Sequence, residues 1–310
     1  MFTRLRQADT PLTVTGFLML AVLGVALAGL AVDPRIVTGV PVWLKPAKFA
    51  VSIALYTFTL AWVFTFIPGW AATRRIVGWT TAMAMVVEMV IIGLQAARGT
   101  TSHFNVSTLF DGVLWTIMGL AIVAQTLTSA AVAVALWRQP FADRALGWAL
   151  RFGMVITIVG AFSGGLMARP TRTQIADARA GQRMTVSGAH TVGAADGGPG
   201  VAGTGWSTDH GDLRVPHFLG LHALQALPLV ALALPRRRFT DPTRARLILT
   251  AAASYVALFG ILFWQALRGQ SVLAPDALTI ATLGAWAAVT AAAAAMSFSH
   301  RVRVHTHVTV

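Results

Sequence analysis

Five histidines, His103, His190, His210, His217 and His222, together with Glu88 and Gln225, are the residues of this chain whose types and spacing could do chemistry. Imidazole nitrogen with carboxylate oxygen is a donor set for zinc, copper or iron. All five histidines are candidate metal ligands, with Asp111, Asp196, Asp209 and Asp212 near them in sequence. His222 or His103 could instead hold a single haem axially. Glu88 is the only glutamate and lies inside an apolar run, where an acid costs about 2.5 to 3.5 kcal/mol and so turns toward a partner. It is the candidate proton donor or acceptor, with Gln225 as a positioning group. His217 and His222, five residues apart, are separated by about 140° around a helix, whereas His222 and Gln225, three apart, share a face. Glu88 and His222 both fall about 10 Å below the same membrane boundary by helical rise, and meet if their two spans are neighbours. No spacing matches a recognised metal motif, and HEXXH is absent. Cysteine is absent, which excludes thiolate ligands, disulfides and thiol catalysis.

The elements that must position these groups are membrane helices. The chain is 56% hydrophobic and 11% charged, against about 25% charged in soluble proteins, and its mean hydropathy is +0.68. Eight apolar runs long enough to cross about 30 Å of hydrocarbon are expected at 12–32, 49–66, 76–95, 112–137, 146–167, 215–234, 247–267 and 277–298. This predicts an all-α polytopic transmembrane bundle, a single membrane domain in contact with the lipid bilayer, its first span read as a retained signal anchor. The net charge of +13 resides in short arginine-bearing segments between spans, as in a membrane protein oriented by charge; nucleic acid is not an expected partner.

Thirteen basic residues fall on the side of the termini, Arg301 and Arg303 among them, against ten on the other. That bias predicts cytoplasmic termini in a multi-pass cell-membrane protein. The long Gly-rich loop 169–214 is then extracytoplasmic, a lid over the outer mouth of the bundle with a short amphipathic helix near 174–184. The five histidines lie at or below that outer boundary, and the inner half of every span lacks histidine. That distribution excludes a two-haem wire across the membrane.

Other motifs read as structure. The prolines of 33–48 argue against helix before Lys48, leaving Trp43, Lys45 and Lys48 as interfacial anchors. Asp111 and Asp212 precede spans and suit helix capping. Ser163 to Gly165 permits close helix approach, Asn105 begins a weak glycosylation sequon, and Gly198 to Gly203 fits GxGxxG without the strand and helix that dinucleotide binding needs. The tail from His300 is expected to fray. Neither an internal repeat nor a broken span is legible, and both are common in carriers.

The segments SHFN at 102–105, HTVGAADGGPG at 190–200 and GDLRVPHFLGLHALQ at 211–225 resemble a group of uncharacterised bacterial polytopic membrane proteins. The resemblance implies an integral membrane fold and no activity. The expected function is a metal- or haem-dependent membrane enzyme, an oxidoreductase before a hydrolase, acting on a membrane-soluble substrate such as a quinone or lipid. The alternatives are a proton- or ion-coupled transporter using Glu88, and a non-catalytic sensor or scaffold.

Overall fold

A computed structural model describes residues 2–299; His300, Arg301, Arg303 and the rest of the expected frayed tail lie outside the described residues. The elements in order are α1 (Phe2–Ala8), α2 (Thr10–Val32), β1 (Ile36–Val37), β2 (Val40–Pro41), α3 (Leu44–Phe64), α4 (Ala71–Ala97), α5 (Leu109–Arg138), α6 (Arg144–Met167), α7 (Arg172–Arg179), β3 (Thr191–Val192), β4 (Gly211–Asp212), α8 (Arg214–Leu221), α9 (Ala223–Ala233), α10 (Asp241–Leu267) and α11 (Ala277–Ser299). Seven helices are individually long and apolar enough to cross a membrane, and α8 with α9 makes an eighth, bent by 50°. The chain is an all-α, multi-pass membrane bundle.

Helix starts follow capping chemistry. Asp9, Thr108, Asp143 and Thr240 each accept first-turn N–H groups that have no partner within the helix. The prolines before Lys48 do not delay α3, which begins at Leu44 with Pro46 in its first turn. The missing proline N–H is no loss there, because first-turn donors have no acceptor within the helix. Lys45 and Lys48 therefore stand on the opening turns of a helix, three apart and on one face.

The core runs through α3, α5, α6, α9 and α10, where Leu60, Phe64, Leu136, Leu150, Met154, Leu224 and Ile248 are fully buried. In α4, 56% of the most apolar window is buried, against 6% in α11. The latter hangs on α10 through Ser254 Oγ to Thr290 Oγ1 (2.9 Å) and Trp286 Nε1 donating to Ser254 O (2.9 Å). Charged groups at the terminal end are gathered by Asp143, which pairs with Arg244 and Arg236, each at 3.0 Å. Arg151 donates to Leu136 O and Gln139 O and lies against Trp137, Phe141 and Trp148.

The sixth span is not the continuous helix expected from its hydropathy. A row of small residues on α6, Gly153, Thr157, Gly160 and Gly164, runs along the break between α8 and α9. A Cβ on Gly160 would lie 2.5 Å from Gly220 C, and one on Gly153 3.0 Å from Leu224 Cα. Backbone groups freed by the break are satisfied from the neighbours: Thr157 Oγ1 accepts from Leu224 N (3.1 Å) and donates to Leu221 O (3.3 Å), and Tyr255 Oη donates to Leu219 O (2.6 Å). Inside hydrocarbon such compensation is required, because no water is available to it.

Candidate functional site

Glu88 and His103 meet. Glu88 projects from α4, and His103 sits in the turn between α4 and α5, with His103 Nε2 3.3 Å from Glu88 Oε1 and Nδ1 3.2 Å from Ser102 Oγ. The glutamate side chain is 5% exposed, and its second oxygen, Oε2, is buried without a partner among the described residues. A buried acceptor left open is costly, so this carboxylate is available to a proton, an ion or a ligand. Three rings enclose His103: Trp115 at 5.4 Å, Phe49 at 5.6 Å and Phe104 at 6.2 Å between centroids. Burial holds the His103 pKa well below 6.5, reinforced by Lys45, His190 and His217 nearby.

Phe104 is held with φ of 64°, a left-handed conformation that bulky residues rarely adopt. It is fixed by Ser187 N donating to Phe104 O (2.8 Å) and by the Asn105–Val186 bridge. Its ring lies 4.8 Å from that of His190. Gly188 permits this closure: with φ of 112°, a Cβ there would fall 2.3 Å from Met167 O. Strain of this kind concentrates at functional sites, and here it wedges an aromatic ring between two histidines.

His190 comes from the long loop. Asp196 accepts from His190 N (3.0 Å), Thr191 N (2.9 Å) and the imidazole Nδ1 (2.6 Å). Those bonds and the neighbouring histidine hold the Asp196 carboxyl well below the usual range, while burial lowers the His190 pKa despite its partner. His217, on α8, directs Nδ1 to Gly160 O (2.8 Å) and to Ser163 Oγ (3.3 Å). Gly164 clears room for that ring, since a Cβ there would stand 2.9 Å from His217 Cε1. The Ser163 to Gly165 segment thus serves the histidine as well as packing, with nothing near Gly165. Lys45 lies near Glu88 and Asp196 and 5.8 Å from the Phe49 ring centroid. Lys48 Nζ donates to Thr204 O (2.7 Å) in the loop. Both lysines had the sequence signature of interfacial anchors; Pro46 in a first turn was the signal that places them on a helix facing the site.

The loop is a structured cover. Its short helix α7 begins earlier than expected, with a capping box between Thr171 and Gln174, and β3 pairs with β4. Asp212 accepts from Ser207 N and clasps the Arg214 side chain; it also accepts from Arg214 N, the first N–H of α8 (2.9 Å), as a helix-start carboxylate is expected to, although the N-cap position itself is Leu213. Asp111 likewise is a first-turn residue behind the Thr108 cap, tying α5 to α4 through Gln95 (2.8 Å) and Arg98 (2.6 Å). Asn105 is buried, its amide committed to Thr100, Thr101 and Ser107, which removes it as a glycosylation acceptor. Asp196→Ala strips three acceptor contacts from the loop. Hydrogen exchange at the His190 and Thr191 amides should then accelerate by about tenfold or more, the equivalent of losing charge-assisted bonds worth about 2 kcal/mol; unchanged protection would show that other contacts hold the loop.

His222 and Gln225 do not meet Glu88, although His222 lies close enough to His217 for their charges to interact. The helix α4 packs against α2, α3 and α5, whereas α8 and α9 pack against α6 and α10, so spans three and six are not the neighbours that a Glu88–His222 pair requires. His222 occupies the break itself, with Phe218 at 4.3 Å. Gln225 lies beside it, within hydrogen-bonding reach of the imidazole. His210 is exposed on the loop, its backbone N–H donating to Ser207 Oγ. Among the described residues no three His, Asp or Glu side chains already stand where one ion would join them.

A multi-pass helical bundle with a buried Glu–His centre beneath a folded loop is the class of protein defined here. No protein-family model, no curated protein and no solved structure matches the chain.

Proposed function

We propose that this protein is a membrane-embedded enzyme of the oxidoreductase class, with its centre at Glu88, His103, His190 and His217. We place that centre on the extracytoplasmic side, under the loop, where a membrane-soluble substrate such as a quinone or lipid reaches it laterally. The observation that carries the reading is the anchoring of the imidazoles. His217 Nδ1 faces a carbonyl and His190 Nδ1 a carboxylate; neither acceptor can donate, so both protons sit on Nδ1 and each Nε2 keeps its lone pair. This is the orientation given to metal-ligating histidines by the partners behind them. With the open oxygen of Glu88, the donors suit zinc, copper or iron, and closure on one ion requires the side chains to turn toward each other. A haem fits less well, because Trp115, Phe49 and Phe104 fill the space around His103. A bound metal would supply redox or Lewis-acid chemistry; the chain's own part is to exclude water with the aromatic wall and to hold or move a proton at Glu88 through His103.

The test is metal content and the visible spectrum of the purified protein. About one transition metal per chain is expected, with affinity falling 10- to 100-fold in Asp196→Asn, the usual effect of removing a group that orients a ligand, and binding lost in His190→Ala with His217→Ala. A Soret band would move the assignment to haem, and absence of both would overturn it.

One observation favours a second reading. The break in the sixth span at His222, bent by 50°, resembles the discontinuous helices that line carrier sites. A proton-dependent flux in proteoliposomes that vanishes in Glu88→Gln, without bound metal, would establish that reading instead.

A further inference from the structure

At the end of the bundle that carries the termini, α2 and α4 part to leave a groove of about 510 Å³, lined by Thr10, Pro11, Val14, Trp79, Met83 and Val87 among others. Its floor is apolar, and Val14, Trp79 and Met83 are each more than half exposed. From Trp79 to Val87 it runs about 12 Å at helical rise, close to the depth of one leaflet of an about 30 Å hydrocarbon core. Trp79 stands at the mouth, where membrane proteins concentrate tryptophan.

The mouth is basic. Arg75, Trp79 and Met83 are spaced by four and so lie along one face of α4. Arg75 is exposed and has no hydrogen bond or ion pair with any described residue. Arg74 donates to Ala8 O and Pro68 O, and its Nε is buried without a partner among the described residues. Arg6 is exposed at the end of α1. Against these three cations stands one acid, Asp9, which caps α2, abuts Gly78 and attracts Arg74. Among the described residues the charge left over is positive, and Arg75 lies one turn before Trp79 on the face of α4 that lines the groove.

We propose that this groove is a binding site for an anionic phospholipid, with one acyl chain along Trp79, Met83 and Val87 and the phosphate held by Arg75. Basic clefts between membrane helices recognise anionic headgroups in this way. The site is separate from the Glu88 centre and stands or falls without it.

The experiment is native mass spectrometry of the full chain in detergent, offered equal amounts of phosphatidylglycerol and phosphatidylcholine. Wild type is expected to retain one phosphatidylglycerol in preference. In Arg75→Ala the preference falls about fivefold, as expected for one arginine at the membrane surface. Met83→Trp, which fills the channel while leaving the arginines, loses both adducts, and Arg246→Ala, an exposed arginine elsewhere at the same end, changes nothing. Equal retention of the two lipids by wild type, an undiminished preference in Arg75→Ala, or lipid still bound in Met83→Trp would overturn the proposal. So would a dimer mass that Met83→Trp converts to monomer, since a second copy would then be the occupant.

Discussion

Asp143→Ala is expected to destabilise the bundle by about 3 to 5 kcal/mol, read as a fall in the unfolding midpoint in mild detergent. Asp143 does three things at once. It caps α6 through Ala145 N and Leu146 N, it pairs with Arg244, whose side chain is 4% exposed, and it reaches Arg236 at the surface. Losing the cap costs about 1 kcal/mol, and the exposed Arg236 contact contributes little. The larger part is Arg244, left as a buried cation with the Leu234 and Ala231 carbonyls and only a longer contact to the exposed Asp241 at 3.6 Å. Replacing both residues, Asp143→Ala with Arg244→Met, should recover much of the loss, because a buried pair removed whole leaves no uncompensated charge. The same contact predicts acid sensitivity. Arg244, the backbone bonds and Arg236 hold the Asp143 carboxyl below its ordinary range in the folded state against the opposing effect of burial. The unfolded chain therefore takes up the proton first as pH falls, and the stabilisation, complete above about pH 4, is lost as pH falls further. An acid-unfolding profile identical in wild type and Asp143→Ala would refute the assignment.

Gly160→Val should cost about 3 kcal/mol and also disable the site. The Cα of Gly160 faces Gly220 so closely that any Cβ meets backbone, which cannot turn aside as a flexible side chain can; overpacking of this kind costs about 1 to 3 kcal/mol, sometimes more. Relief requires α6 and α8 to separate. That movement draws the Gly160 carbonyl from His217 Nδ1 and Thr157 from the two backbone ends it satisfies. If the proposed metal centre is correct, metal affinity should therefore fall with stability, although Gly160 contributes no side chain to that centre. Gly165→Ala, five residues along the same helix with open space around it, is the control and should leave both unchanged. If Gly160→Val retains full stability, the close approach of α6 and α8 is not what sets the break.

The bundle itself was legible in the sequence, because apolar length alone decides what crosses a membrane, and eight runs of sufficient length correspond to the seven long helices and one bent pair. Glu88 and the histidines at the loop end of the bundle were legible as candidates on the same physics, since ionisable groups are expensive in hydrocarbon. What no spacing rule could supply was the pairing. Equal depth suggested Glu88 with His222, but depth fixes only one coordinate of three, and which helices are neighbours depends on packing. The small-residue row on α6 seats α8 and α9 against it and away from α4. The turn after α4 instead brings His103 back over Glu88, held there by a left-handed Phe104 and a folded loop. The break at His222 was hidden for a related reason. Hydropathy averages over a span, whereas a break depends on single partners, Thr157 and Tyr255, supplied from other helices. Composition determined that this chain lies in a membrane; only side chains meeting across helices decided which of its polar residues form a site.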